Sequence, residues 1–248
     1  MDARGKILVV MAAGSGLRMG TALPKQFLSL GGKPVLQRTI EVFLAAVPGL
    51  QVITVLPKDY VTWWKDKCLK QNFTCPQRLV TGGITRFHSV RNALARIQAP
   101  AIVAIHDGVR PLVSPELLSR LFARMEDGSC RALIPVVPSV DTLKVLDWAE
   151  DAAGDRVLVQ SGEQVDRSRV WCAQTPQLFL SEDIQAAYSR PYDTAFTDDA
   201  SVARKNGIPL SFCPGERYNI KLTTPEDFAL AELLQATLLP GGSRAGSL

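Results

Sequence analysis

The chain has 248 residues, of which 46% are apolar and 21% charged, and a formal net charge of +4. This composition supports a packed core in one large domain and excludes a disordered or low-complexity chain. The charge is too small to mark a nucleic-acid binder, but it suits a protein whose cations gather around a small anion.

The five cysteines, Cys68, Cys75, Cys130, Cys172 and Cys213, contain no C-x-x-C pair and are odd in number. They read as plain thiols in a reducing compartment rather than as a zinc site or disulfide framework. The N-terminal apolar run is too short for a signal peptide or a membrane span, so a soluble, cytoplasmic protein is expected.

Ile7 to Met11 is an unbroken apolar run, as in a strand covered on both faces of a parallel sheet. A glycine-rich loop follows, from Ala12 to about Pro24. Val35 to Ala46 has helical spacing, Val52 to Leu56 is a second buried strand, and Tyr60 to Lys70 a helix. Trp63 and Trp64 in that helix could mark a binding face, but packing of the helix on the sheet is expected to explain at least one of them. A short strand at Arg78 to Val80, a Gly82-Gly83 turn and a helix from Thr85 to Ile97 lead to the strand Ile102 to Ile105, which ends at His106-Asp107. Ser114-Pro115-Glu116 combines a capping serine, a proline suited to the first helical position and an acidic first turn, and starts a helix running to about Asp127. Ala132 to Val137 is the next strand. Strands alternating with helices predict a mostly parallel sheet with helices on both faces.

After Pro138 the pattern changes. Thr142 to Leu146 and Arg156 to Val159 alternate about a polar turn containing Asp151 and Gly154, which predicts a β-hairpin. An isolated hairpin cannot bury its faces, so it is expected to pack on a second copy of the chain. The α/β pattern resumes at Val170, with helices at Ser181 to Tyr188, Thr197 to Lys205 and Thr224 to Leu238. The predicted organisation is a single domain over residues 1–238, a dimerisation arm at 138–160 and a frayed tail at 239–248.

Chemistry concentrates at the carboxyl end of the first strand, where open α/β sheets bind ligands. Ala12-Ala13-Gly14-Ser15-Gly16-Leu17-Arg18-Met19-Gly20 is followed by Pro24-Lys25-Gln26. Glycines let main-chain amides approach phosphate oxygens, and Arg18 and Lys25 add fixed positive charge, as a triphosphate under attack at its α-phosphorus requires. A dinucleotide fingerprint fits worse, because Met19 stands at the third glycine position and no acid ends the second strand. A P-loop lacks its Gly-Lys-Ser/Thr. His106 is expected to be a partly buried residue bonded to backbone, His88 a surface or packing residue, and Asp198-Asp199 an acidic first helical turn rather than a metal pair.

Further elements follow in order: Gly82-Gly83 with Arg86 and Ser89, His106-Asp107-Gly108-Val109-Arg110-Pro111, Asp141-Thr142-Lys144, Val165-Asp166-Arg167, Gln174-Thr175-Pro176-Gln177, Thr197-Asp198-Asp199-Ala200 and Asn219-Ile220-Lys221. With these elements the chain resembles the 2-C-methyl-D-erythritol 4-phosphate cytidylyltransferase family. The resemblance runs from about Val9 to Leu230. It implies a three-layer Rossmann-like nucleotidyltransferase fold with an inserted β-arm, and cytidylyl transfer from CTP to the sugar-alcohol phosphate in isoprenoid precursor synthesis.

By the same resemblance Ala12, Ala13, Gly14 and Gly16 line the nucleotide loop, and Arg18 and Lys25 stabilise the transition state. Gly83 and Ser89 contact base and ribose, and Asp107 lies near the ribose and the metal-bound phosphates. Arg110, Thr142, Thr175 and Thr197 surround the second substrate, whose phosphate Arg167 and Lys221 hold. Magnesium or another divalent cation is the implied cofactor and a homodimer the implied assembly, with neither nucleic acid nor membrane as partner. Because a phosphate monoester is already largely dianionic at neutral pH, no general base is required, in keeping with the lack of any Ser/His/Asp constellation. The chain departs from the family at Ile84, where many members carry an acid, and at Gly108-Val109, where paired alanines are common. Small changes around the base are expected from both. Ribitol-5-phosphate cytidylyltransferases are the nearest alternative, although their loop carries paired glycines after one alanine. A nicotinamide-dependent oxidoreductase is more remote.

Overall fold

The computed structural model describes residues 4–14, 23–162 and 164–238. Gly16 and Arg18 of the predicted loop, and the predicted tail at 239–248, lie outside the described residues.

In chain order the elements are β1 (Gly5–Met11), β2 (Ser29–Leu30), β3 (Lys33–Pro34), α1 (Val35–Ala46), β4 (Leu50–Leu56), α2 (Val61–Lys70), β5 (Gln77–Thr81), α3 (Arg86–Leu94), β6 (Ala101–Asp107), α4 (Pro115–Glu126), β7 (Ala132–Pro138), β8 (Leu146–Glu150), β9 (Arg156–Gln160), β10 (Trp171–Ala173), β11 (Gln177–Leu180), α5 (Ser181–Tyr188), α6 (Asp199–Lys205), β12 (Ser211–Pro214) and α7 (Pro225–Leu238). β1 is central and parallel to both β4 and β6, with β5 beyond β4. β11 runs antiparallel to β6 and β7, β10 antiparallel to β7, and β12 parallel to β7. The sheet is therefore mostly parallel, as predicted, with an antiparallel insertion that the apolar pattern does not announce.

Strand periodicity builds the three layers. Leu8 and Val10 of β1, with Ile102 and Ala104 of β6, pack against α1 and α4 on one face. Ile7 and Val9, with Val103 and Ile105, pack against α3, α5 and α6 on the other. A third cluster, Leu30, Val35, Val109, Leu222 and Ala231, ties α7 to the end of β6. Trp64 is buried and Trp63 half-buried, and both pack on Phe27 with ring centroids 6.2 and 4.7 Å away. The two tryptophans therefore hold the Pro24-Lys25-Gln26 segment against α2.

Ser114 caps α4 by accepting from Leu117 N at 3.0 Å, as read from the sequence. α6 starts later than predicted. Asp198 is its cap, accepting from Ser201 N at 2.8 Å, which leaves Thr197 outside the helix. The hairpin exists, but its first strand lies at 146–150 rather than 142–146. The turn from Asp151 to Asp155, with Gly154 at φ +84°, pairs Glu150 with Arg156 and Leu146 with Gln160. Among the described residues no helix is long and apolar enough to cross a membrane.

Candidate active site

β1, β5 and β6 all end at one edge of the sheet, and the segments leaving them form a cleft of about 690 Å³. Its lining includes Ala12, Ala13, Gly14, Lys25, Gly83, Ser89, Asp107 and Lys221, eight positions that the sequence singles out from five separate stretches of chain. Buried Gln26 fixes the first loop. Its Nε2 donates to Ala12 O at 2.7 Å and Gly14 O at 2.9 Å, so two carbonyls are occupied and kept off an incoming anion.

The second loop is fixed by Ser89. Its Oγ accepts from Gly83 N at 2.9 Å and donates to Thr85 O at 2.9 Å. The two loops touch: a Cβ on Gly82 would stand 2.5 Å from Ala13 Cβ. Gly108 meets the root of the first loop, where a Cβ would lie 3.0 Å from Met11 O and 3.3 Å from Ala12 Cβ. The Gly108 departure thus meets backbone packing, whereas Val109, buried in the cluster with α7, and Ile84 both also line the cleft.

Asp107 is the electrostatic hub. Lys221 Nζ lies 3.0 Å and Arg110 Nε 3.3 Å from its Oδ2. Burial pushes its pKa up, but Lys221, Arg86 and Arg110 outweigh that and hold it well below the usual carboxylate range. Its backbone N–H donates to Thr175 Oγ1 at 3.1 Å, and Asn219 Nδ2 donates to Thr175 O at 2.8 Å. Arg110 Nη1 in turn donates to Asn219 O at 2.6 Å. Arg110 and Thr175 thus form the scaffold behind the cleft rather than its lining.

A family model described as 2-C-methyl-D-erythritol 4-phosphate cytidylyltransferase matches residues 6–236. The chain belongs to this family. Relatives bearing the same description include those of Bacteroides thetaiotaomicron, 43% identical with 92% of this chain and 98% of the relative covered, and Porphyromonas gingivalis, 43% identical with 91% and 96% covered. A solved 4-diphosphocytidyl-2C-methyl-D-erythritol synthase from Anaerococcus prevotii superimposes with a TM-score of 0.73 at 27% identity, covering 94% of this chain and 99% of that one.

Not every predicted residue of this cytidylyltransferase meets at the cleft. Thr142, Arg167 and Thr197 are exposed and do not line it. Arg167 begins a short 3-10 turn after the arm, and its Nη1 donates to Val140 O at 3.2 Å. His106 is fully buried, and burial pushes its pKa down to about 4, so it is neutral. Its Nε2 lies 3.1 Å from Arg110 O and its ring packs on Phe43. This is the backbone-bonded histidine that the sequence suggests, buried completely rather than in part.

One pair escapes sequence reading as a site. Arg86 lines the cleft, and its two Nη atoms donate to Asp199 Oδ1 and Oδ2, each at 2.6 Å. Tyr188 Oη donates to Asp199 Oδ1 at 2.6 Å. The two partners of the ion pair lie 113 positions apart, and Asp199 shows locally only as an acidic residue at a helix start.

Proposed function

We propose that the cleft takes CTP and transfers its cytidylyl group to 2-C-methyl-D-erythritol 4-phosphate, giving 4-diphosphocytidyl-2-C-methyl-D-erythritol and pyrophosphate for isoprenoid precursor synthesis. The observation that carries this reading is the convergence of the Ala12–Gly14 loop and Lys25 with Asp107 and Lys221 around one cleft. A phosphate oxygen of the acceptor attacks the α-phosphorus. The bond to the β-phosphate breaks and pyrophosphate leaves with the electron pair.

The acceptor is already a dianion, so the protein's work is alignment and charge neutralisation. The Ala13 and Gly14 amides and Lys25 face the triphosphate, where charge crowds in the transition state. Arg18 acts with Lys25 in this reading. Lys221 and Arg167 aim the second phosphate.

Asp107 fits as a protein ligand for magnesium. It is held ionised at the cleft, and magnesium is ordinarily bound through one or two carboxylates plus substrate phosphates. When bound, the ion neutralises triphosphate charge.

We also propose that the chain works as a homodimer in the cytoplasm. β8 and β9 pair only with each other among the described residues. They leave Leu146, Trp148, Leu158 and Val159 exposed, with Trp148 at 57% and Leu158 at 54% directly opposite one another. A two-stranded arm with that much apolar surface needs a partner to cover it. Crossing to a second subunit also accounts for Arg167 and Thr142, which do not line the cleft of their own chain.

The deciding assay offers CTP and magnesium with either methylerythritol phosphate or ribitol phosphate and measures pyrophosphate. Release with methylerythritol phosphate is expected. Release with ribitol phosphate alone would give the function to the other acceptor.

A further inference from the structure

The Arg86–Asp199 pair is asymmetric in a way that stability alone does not require. The Asp199 side chain is 0% exposed, whereas that of Arg86 is 34% exposed and forms part of the cleft wall. Burying a carboxylate carries a large desolvation cost, and replacing a buried ion pair with apolar residues is often neutral or stabilising. Here the carboxylate receives three hydrogen bonds, two from Arg86 and one from Tyr188, while Tyr188 stacks on Phe87 with centroids 4.7 Å apart. Asp199 begins α6 and Arg86 begins α3, so two helix starts are locked together at the cleft's edge.

The end-on fork uses two of the five guanidinium N–H donors and leaves three. It also fixes the plane of the group, which a single bond would leave free to rotate. The charge lies at the cleft itself, since Arg86 forms part of the wall that also carries Asp107 and Lys221. Thr85 and Ser89 on either side of Arg86 line the same wall.

We propose that Asp199, supported by Tyr188, is a positioning residue for nucleotide binding: it orients Arg86 so that the remaining N–H groups meet acceptor oxygens of the bound nucleotide. This rests on the reading of the cleft as a CTP site. An asparagine at 199 can accept from only one Nη and turns its own amide donor toward the other, so the fork is lost although the side chain keeps its size.

The test is a double-mutant cycle on CTP affinity, measured by calorimetry with magnesium chloride present, using Asp199→Asn and Arg86→Met singly and together. Asp199→Asn is expected to weaken CTP binding about tenfold in the wild-type background, the size of one charge-assisted hydrogen bond, and less than about twofold in the Arg86→Met background. In turnover it should raise the KM for CTP while the KM for the acceptor stays unchanged. Equal losses in both backgrounds, or unaltered affinity in a folded Asp199→Asn chain, would overturn the proposal. If Asp199→Asn does not fold, Tyr188→Phe, which keeps the stack on Phe87, carries the same cycle with a smaller expected loss that must again vanish in Arg86→Met. Failure of wild-type chain to bind CTP would overturn the functional reading itself. CTP binding and turnover with no coupling between 199 and 86 would overturn this inference alone.

Discussion

At the residue scale the site separates groups that meet the reacting phosphates from groups that fix them. Lys25 is of the first kind in the proposed mechanism. Its charge is most valuable when the α-phosphorus is crowded, so Lys25→Ala should lower kcat about a hundredfold, with a smaller change in the KM for CTP. Steady-state pyrophosphate release measures both constants, and an unaltered kcat would remove Lys25 from the chemistry. His106 is of the second kind, and its contribution appears in stability. Its pKa falls to about 4 in the folded chain, against an ordinary value of 6.5, so between those values the unfolded chain binds a proton that the fold excludes. Its stabilisation is therefore complete above about pH 6.5 and is lost progressively as the pH falls toward 4. Denaturant titrations should show His106→Gln losing about 2 kcal/mol less than the parent between about pH 7.5 and pH 5. Parallel pH curves for the two proteins would show that the imidazole is not excluded from protonation.

At the scale of elements, legibility followed local pattern. β1 and β6 carry unbroken apolar runs, Ile7 to Met11 and Ala101 to Ile105, and β4 carries one interrupted only by Thr54, because both faces of a central parallel strand are buried; that makes them readable. β10, β11 and β12 are three or four residues long, too short to show a period, and two of them are antiparallel. The arm misled in a different way. Thr142 to Leu146 alternates like a strand, but pairing is counted outward from the turn, and the turn at 151–155 sets the first strand at Leu146–Glu150. In the site, glycines and cations next to strand ends were visible in the sequence. The Arg86–Asp199 fork and the Arg110–Asn219–Thr175 scaffold were not, because each joins distant stretches whose local appearance is ordinary. The contact between the two cleft loops was likewise hidden, and it makes a firm prediction. A methyl on Gly82 would meet Ala13 Cβ, a group fixed to backbone with no rotamer to escape into. Gly82→Ala should therefore push the nucleotide loop outward and raise the KM for CTP about tenfold or more, while the melting temperature falls only a few degrees. A variant with parental KM would mean that the loops move apart without consequence for the nucleotide.

At the scale of the whole molecule, the question is whether one chain contains a complete site. Lys25 and Lys221 line the cleft of their own chain, whereas Arg167 sits beyond the arm, exposed and held to Val140. If the arm crosses to a partner, each site combines the cleft of one subunit with the Arg167 of the other. Two inactive variants can then repair one another. In a mixture of Lys25→Ala and Arg167→Ala chains, half of the dimers are mixed after exchange. One of the two sites in each mixed dimer pairs an intact Lys25 with an intact Arg167, so about a quarter of the wild-type activity should return. If each site is built from one chain alone, every site in the mixture lacks one residue and no activity returns. Deleting residues 146–160 separates the two causes of failure. A deletion chain that still sediments as a dimer would place the interface elsewhere, and one that is monomeric yet fully active would leave the arm without a part in the reaction. On the proposed arm exchange the expected result is a folded monomer that retains CTP binding, because the cleft lining belongs to one chain, but turns over poorly, because the second phosphate would then have lost the Arg167 that the proposal takes from the partner.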